Sequence, residues 1–200
     1  MKPGTLLGIA AVAGVALSVY AQQCQPPREM RAAVENMNFG EGAPGAPPPG
    51  WYLGPEWFMP PHMPVYEAQV ASGAACNGSN QCATVHSIRD DRSIQLAFLY
   101  QVLDAAQYRG KRLTFRAAVR ADDALGSEAR LLVRIHRNDC STSFRDDMGN
   151  HPITASAWTD YEIQAPIAWD ARDIEFGMQL IGQGGASIDN ISMDFAAIGK

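Results

Sequence analysis

A chain of 200 residues, 46% hydrophobic and 18% charged, has room for one domain with a sizeable core, and its composition excludes disorder along its whole length. Its formal net charge of −5 gives no general attraction for phosphate backbones, so nucleic acid is not an expected partner.

The N-terminus reads as a secretory signal over residues 1–21. Lys2 supplies a positive start, an apolar run follows from Leu6 to Val19, and Val19-Tyr20-Ala21 has the small-x-small pattern of a cleavage site. The run is too short to cross a bilayer comfortably, so no membrane span is expected after cleavage, and the location expected is secreted or periplasmic.

Export would place Cys24, Cys76, Cys82 and Cys140 in an oxidising compartment. Three pairings are open to four cysteines. Cys76 and Cys82 bracket the turn-rich Asn77-Gly78-Ser79-Asn80-Gln81, which favours Cys76–Cys82 and leaves Cys24–Cys140 as the second bridge. No cysteine or histidine spacing fits a zinc site.

Residues 22–35 form a polar N-terminal segment with an expected helical turn around Glu29–Glu35, and the globular domain is expected over 36–200. Residues 40–64 hold eight of the thirteen prolines together with Trp51, Tyr52, Trp57 and Phe58. Proline at this density prevents helix and central strand, while the aromatics point to an ordered loop packed on the domain.

From residue 65 the pattern is strands and turns. Strands are expected at Val65–Val70, Cys82–Ile88, Ile94–Ala105, Lys111–Arg120, Ala129–Arg137, Trp158–Ala165, Asp173–Ile181 and Ala186–Phe195. In Leu131–Arg137 the alternation puts Leu131, Val133 and Ile135 on one face and Leu132, Arg134 and His136 on the other. Ile94–Ala105 is mostly apolar, as in a strand covered on both faces. Short strands with no helices between them predict an all-β fold, an antiparallel β-sandwich or jelly roll, with a closed barrel as the rival.

No catalytic constellation stands out. There is no G-x-S-x-G elbow, H-E-x-x-H or P-loop, and Gly182-Gln183-Gly184-Gly185 lies between strands rather than opening a helix. His62, His86, His136 and His151 are scattered. Asp90-Asp91, Asp122-Asp123 and Asp146-Asp147 are neighbours that cannot face each other across a cleft. The remaining functional signal is aromatic, because pyranose C–H faces stack on exposed rings while polar groups bind the hydroxyls. Trp57, Phe58, Tyr66 and Tyr100 are the candidate ligand-binding rings, with Arg89, Arg92 and Arg145 as candidate polar contacts. Trp51, Trp158 and Tyr161 read as packing residues.

Several short motifs occur in a telling order. They are Asn38-Phe39, Pro49-Gly50-Trp51, Gln101, Tyr108-Arg109-Gly110-Lys111, Trp158-Thr159-Asp160-Tyr161, Ile174-Glu175-Phe176-Gly177-Met178, Gly182-Gln183-Gly184-Gly185 and Ile188-Asp189-Asn190-Ile191. Over residues 36–196 this order resembles the galactose-binding-like jelly rolls, which include many bacterial carbohydrate-binding modules. The resemblance implies a structural calcium ion held by Asp189 and an acid after the opening Asn-x-Phe. Here Gly40 intervenes and that acid is Glu41. No other cofactor is expected. The function expected is an exported, non-catalytic binding module with a glycan as ligand. The alternatives are a cell-envelope protein-interaction or structural module, and a hydrolase with an unrecognised site.

Overall fold

The computed structural model describes residues 29–54, 65–88, 96–122 and 127–199. The expected signal peptide, Cys24, Trp57, Phe58, Arg89 and Arg92 lie outside the described residues. Among the described residues no helix is long and apolar enough to cross a membrane.

Among the described residues, ten strands form two antiparallel sheets. In chain order they are β1 (Tyr52–Gly54), β2 (Tyr66–Ser72), β3 (Gln81–Ser87), β4 (Leu96–Asp104), β5 (Lys111–Ala121), β6 (Glu128–Arg137), β7 (Thr142–Asp146), β8 (Thr159–Pro166), β9 (Ala171–Ile181) and β10 (Gly185–Ala197). The first sheet runs β1-β4-β9-β6-β7 and the second β2-β3-β10-β5-β8. This is the β-sandwich that the alternation predicts. Each of the eight expected strands is present, within a few residues at its ends.

The inward faces build one core. From the first sheet come Leu99, Leu103, Leu131, Val133, Ile135, Ile174, Phe176 and Met178, and from the second Val85, Leu113, Phe115, Val119, Ile163 and Ile188. Aromatic contacts run through it, with Phe176 5.9 Å from Trp51 and 5.5 Å from Phe115 between ring centroids. Burial of these side chains, at about 25 cal/mol per Å² of apolar surface, is the main stabilising term. β4 is covered on both faces, as its apolar run predicts.

Two strands escape the sequence pattern. β1 is three residues long and β7 reads Thr-Ser-Phe-Arg-Asp; both are edge strands, where pairing needs no apolar face. The segment around Glu29–Glu35 also departs from expectation. It forms no helical turn but lies along the edge of β4, where the Arg31 N–H donates to the Val102 carbonyl at 2.8 Å and the Arg31 carbonyl accepts from Asp104 N–H at 2.8 Å. Two backbone bonds to a strand, with Met30 and Val34 packed against the hydrophobic clusters, outweigh a single helical turn, whose nucleation is costly.

The described part of the proline-rich segment is ordered by Trp51, as its aromatics predict. The indole packs on Phe39 at 5.3 Å, and its Nε1–H donates to the Asn36 carbonyl at 3.1 Å. Asn36 in turn donates to the Pro49 carbonyl and accepts from the Glu41 N–H. Farther on, Gly45 and Ala46 bond the backbone of Val70, which covers the free edge of β2.

Candidate functional site

The two outer faces of the sandwich differ in chemistry. The outer face of the first sheet combines rings, buried polar groups and arginines, and strand register sets its layout. One cross-strand row is Tyr52–Tyr100–Gly177–Leu132. The next is Val102–Glu175–Arg134–Arg145. Beyond it lies Asp104–Asp173–His136, and on the other side of the tyrosine row lies Phe98–Gln179–Arg130.

The aromatic half is packed tightly. Phe98, Tyr100, Val102 and Leu132 form a buried cluster with Tyr52, Met30 and Leu96 against it. Tyr52 and Tyr100 have centroids 5.8 Å apart. Arg31 lies over the Tyr52 ring, 5.7 Å from its centroid, and its guanidinium donates to Glu35 at 2.7 Å. Gly177 leaves a gap in the middle of the row. A Cβ there would collide with the Leu99 carbonyl oxygen, so β4 and β9 can meet only with glycine at this point.

The charged half is a network. Arg134 donates to Glu175 at 3.2 Å and lies 5.1 Å from the Phe98 ring centroid. Burial pushes the Glu175 carboxyl up; Arg134, His136 and Arg145 oppose that shift, and the neighbouring Asp173 charge adds to it. Asp147 shows the opposite outcome. Burial alone would raise its carboxyl, but the hydrogen bond from Arg145 and the charges of Arg145, Arg130 and Arg134 hold it below the usual range. Asp173 is buried between His136 Nδ1 and Arg172 Nε, each 2.7 Å away. Three buried side-chain nitrogens have no hydrogen-bond partner among the described residues: Nε of Arg31, Arg130 and Arg134. All three guanidinium groups reach their carboxylates through terminal nitrogens. Orphan donors on one face are where ordered water or a ligand oxygen is recruited.

The expected site residues fare differently. Tyr66 is corrected: alternation turns it inward, where it is 2% exposed and its hydroxyl donates to the Gly182 carbonyl at 2.7 Å. Tyr100 lies on the outer face but is 5% exposed, so it backs Tyr52 rather than projecting. Arg145 is exposed at the edge of the same face. Trp51 is in the core, Tyr161 packs against it, and Trp158 is half-buried beneath Arg120. Sequence reasoning overlooked Arg31, Tyr52 as a ring contact, Arg134 and Glu175, because only cross-strand register brings them together. It also overlooked Trp169, which is 81% exposed at the β8–β9 turn and packs over Gly110.

Asp189 has a different surrounding from the one expected. Its carboxylate accepts from Asn77 N–H at 2.8 Å, Ser79 Oγ at 2.6 Å and Asn190 N–H at 2.7 Å. The side chains grouped with it are Cys76 and Cys82, which form the expected disulfide. Glu41 is not part of that group. A hard cation needs several converging oxygens, and this donor set does not fit one. Cys140 is disulfide-bonded, and the other half of the expected Cys24–Cys140 pair lies outside the described residues.

His136 and Asp173 would supply two parts of a hydrolytic triad. Among the described residues, however, no hydroxyl or thiol is hydrogen-bonded to His136.

No family model and no curated protein matches this chain. Solved structures do. The CBM22-1 xylan-binding domain from Paenibacillus barcinonensis Xyn10C aligns with a TM-score of 0.57 at 11% identity, covering 82% of this chain and 94% of that one. The C-terminal family 22 carbohydrate-binding module of Clostridium thermocellum Xyn10B aligns at 0.55 and 12% identity, covering 86% and 100%. A family 16 carbohydrate-binding module aligns at 0.53 and 16% identity, covering 82% and 99%. The fold of this chain is the jelly-roll β-sandwich of carbohydrate-binding modules.

Proposed function

We propose that this chain is a non-catalytic glycan-binding module acting outside the cytoplasm, with the outer face of the first sheet as its platform. The observation that carries the reading is the position of the Tyr52–Tyr100 pair beside the Glu175–Arg134–Arg145 row on one sheet face. Tyr52 offers a half-exposed ring for the C–H face of a pyranose, and Tyr100 fixes its tilt. Arg31 and Arg134 place guanidinium groups at the ring margin, where sugar hydroxyls would accept hydrogen bonds. The arginines of this face are paired with carboxylates, so its charge is internally balanced and suits an uncharged glycan. The expected signal peptide and the Cys76–Cys82 bridge support export.

Isothermal calorimetry against a panel of neutral polysaccharides, beginning with xylan, tests this. Binding to at least one member, weakened in a Tyr52→Ala variant, is the expected result. A folded protein that binds nothing in the panel removes the reading.

A further inference from the structure

The outer face of the second sheet carries its own cleft, of about 410 Å³, lined among others by Gln69, Thr84, His86, Arg120, Ser156 and Ser187. Its floor follows from register. Gln69 faces Thr84 across β2 and β3, Thr84 faces Ser187 across β3 and β10, and Ser187 faces Arg120 across β10 and β5. Four polar side chains therefore stand in one row across four strands. They point outward because the residues flanking them, Ala68, Val70, Ala83, Val85, Ala186, Ile188 and Val119, are buried on the inner side of the sheet.

Little inside the protein occupies these groups. Among the described residues Arg120 has no ion pair or hydrogen bond; its contact is the Trp158 ring, with the guanidinium carbon 5.2 Å from the centroid. Stacking holds the planar fork in place and leaves its N–H edge free for an acceptor. Thr84 Oγ1 makes one long bond, 3.4 Å to the Gln69 carbonyl, and the Gln69 amide and the Ser187 hydroxyl have no side-chain partner among the described residues. The carboxylates nearby lie toward one end of the cleft. Glu67 is 3.9 Å from His86 Nε2, and Asp122 is at the rim. The contrast with the first sheet is plain. There each of Arg31, Arg130, Arg134 and Arg145 is paired with a carboxylate, and here, among the described residues, no carboxylate is in contact with Arg120.

We infer that this cleft is a second binding site, separate from the first-sheet platform, and that it takes a carboxylated sugar. The carboxylate of a uronic acid residue docks on the Arg120 fork, a pairing that is bidentate and charge-assisted. The ring hydroxyls fall on Gln69, Thr84 and Ser187, which offer donors and acceptors in the same row. A neutral sugar would leave the guanidinium without an anion, so the site discriminates by charge. The inference does not depend on whether the first-sheet face binds a neutral glycan.

The test is calorimetry on the purified chain with an oligogalacturonate and a neutral oligosaccharide of equal length, together with NMR of the tryptophan Nε1–H signals. Arg120→Ala should weaken the oligogalacturonate by about tenfold or more. Arg120→Lys should recover only part of that loss, since a point charge lacks the fork. Tyr52→Ala should leave it unchanged, and the Trp158 signal should shift on addition of the uronide. Binding that is equal in Arg120→Ala, or lost in Tyr52→Ala instead, overturns the assignment. So does a wild-type protein, folded by circular dichroism, that binds the uronide no better than the neutral oligosaccharide. Neutral binding that Tyr52→Ala abolishes would in that case leave the first-sheet reading standing.

Discussion

Tyr52 and Tyr100 face each other across β1 and β4, with their rings 5.8 Å apart and tilted by 50°. One is half-exposed at the sheet edge and the other is buried beside it. A tilted aromatic pair of this kind is worth about 0.5–1.5 kcal/mol beyond its buried area. Its larger consequence is positional. The exposed ring is held by a buried one, so a ligand stacking on Tyr52 meets a surface whose rotamer is already set.

That relationship gives the first prediction. Tyr52→Ala should weaken binding of a neutral glycan by about tenfold, near 1.4 kcal/mol, while Tyr52→Phe should keep most of the affinity. Calorimetry of the two variants beside the unmodified chain decides it. Equal losses in both would mean that the hydroxyl, and not the ring face, makes the contact.

Glu175 gives a prediction in pH. Burial raises its folded-state carboxyl, so between the ordinary carboxylate range and that raised value the native state holds more proton than the unfolded chain. The contribution of this group to stability is therefore present at low pH and fades as pH rises through that window. Glu175→Gln removes the titration. The stability of the variant relative to the unmodified protein should increase between pH 4 and pH 7. Urea unfolding at several pH values measures it, and a flat difference would show that Arg134 cancels the burial cost.

Asp189 ties the Cys76–Cys82 loop to β10 through bonds to Asn77 and Ser79. Asp189→Ala leaves those donors without their acceptor and should cost about 2–3 kcal/mol, as expected for buried bonds to a charged group. If the carboxylate serves the loop alone, a chelator should leave the melting temperature of the unmodified protein in place. Differential scanning calorimetry with and without chelator and added calcium reads this. A large drop in melting temperature with chelator would instead assign the carboxylate to a cation.

The sequence by itself determined the sandwich. Period-two alternation in stretches such as Leu131–Arg137 is a local property, and it already says which side chains share a face. The turn-rich spacing of Cys76 and Cys82 was likewise enough to anticipate their bridge. Only the tertiary structure decided what each face meets. Tyr66 and Tyr52 are both tyrosines at the start of strands, yet one is sealed in the core and the other stands at an edge. The rows Glu175–Arg134–Arg145 and Gln69–Thr84–Ser187–Arg120 each join residues from separate strands. No window of sequence contains either row, because register between strands distant along the chain is fixed by packing the whole core at once.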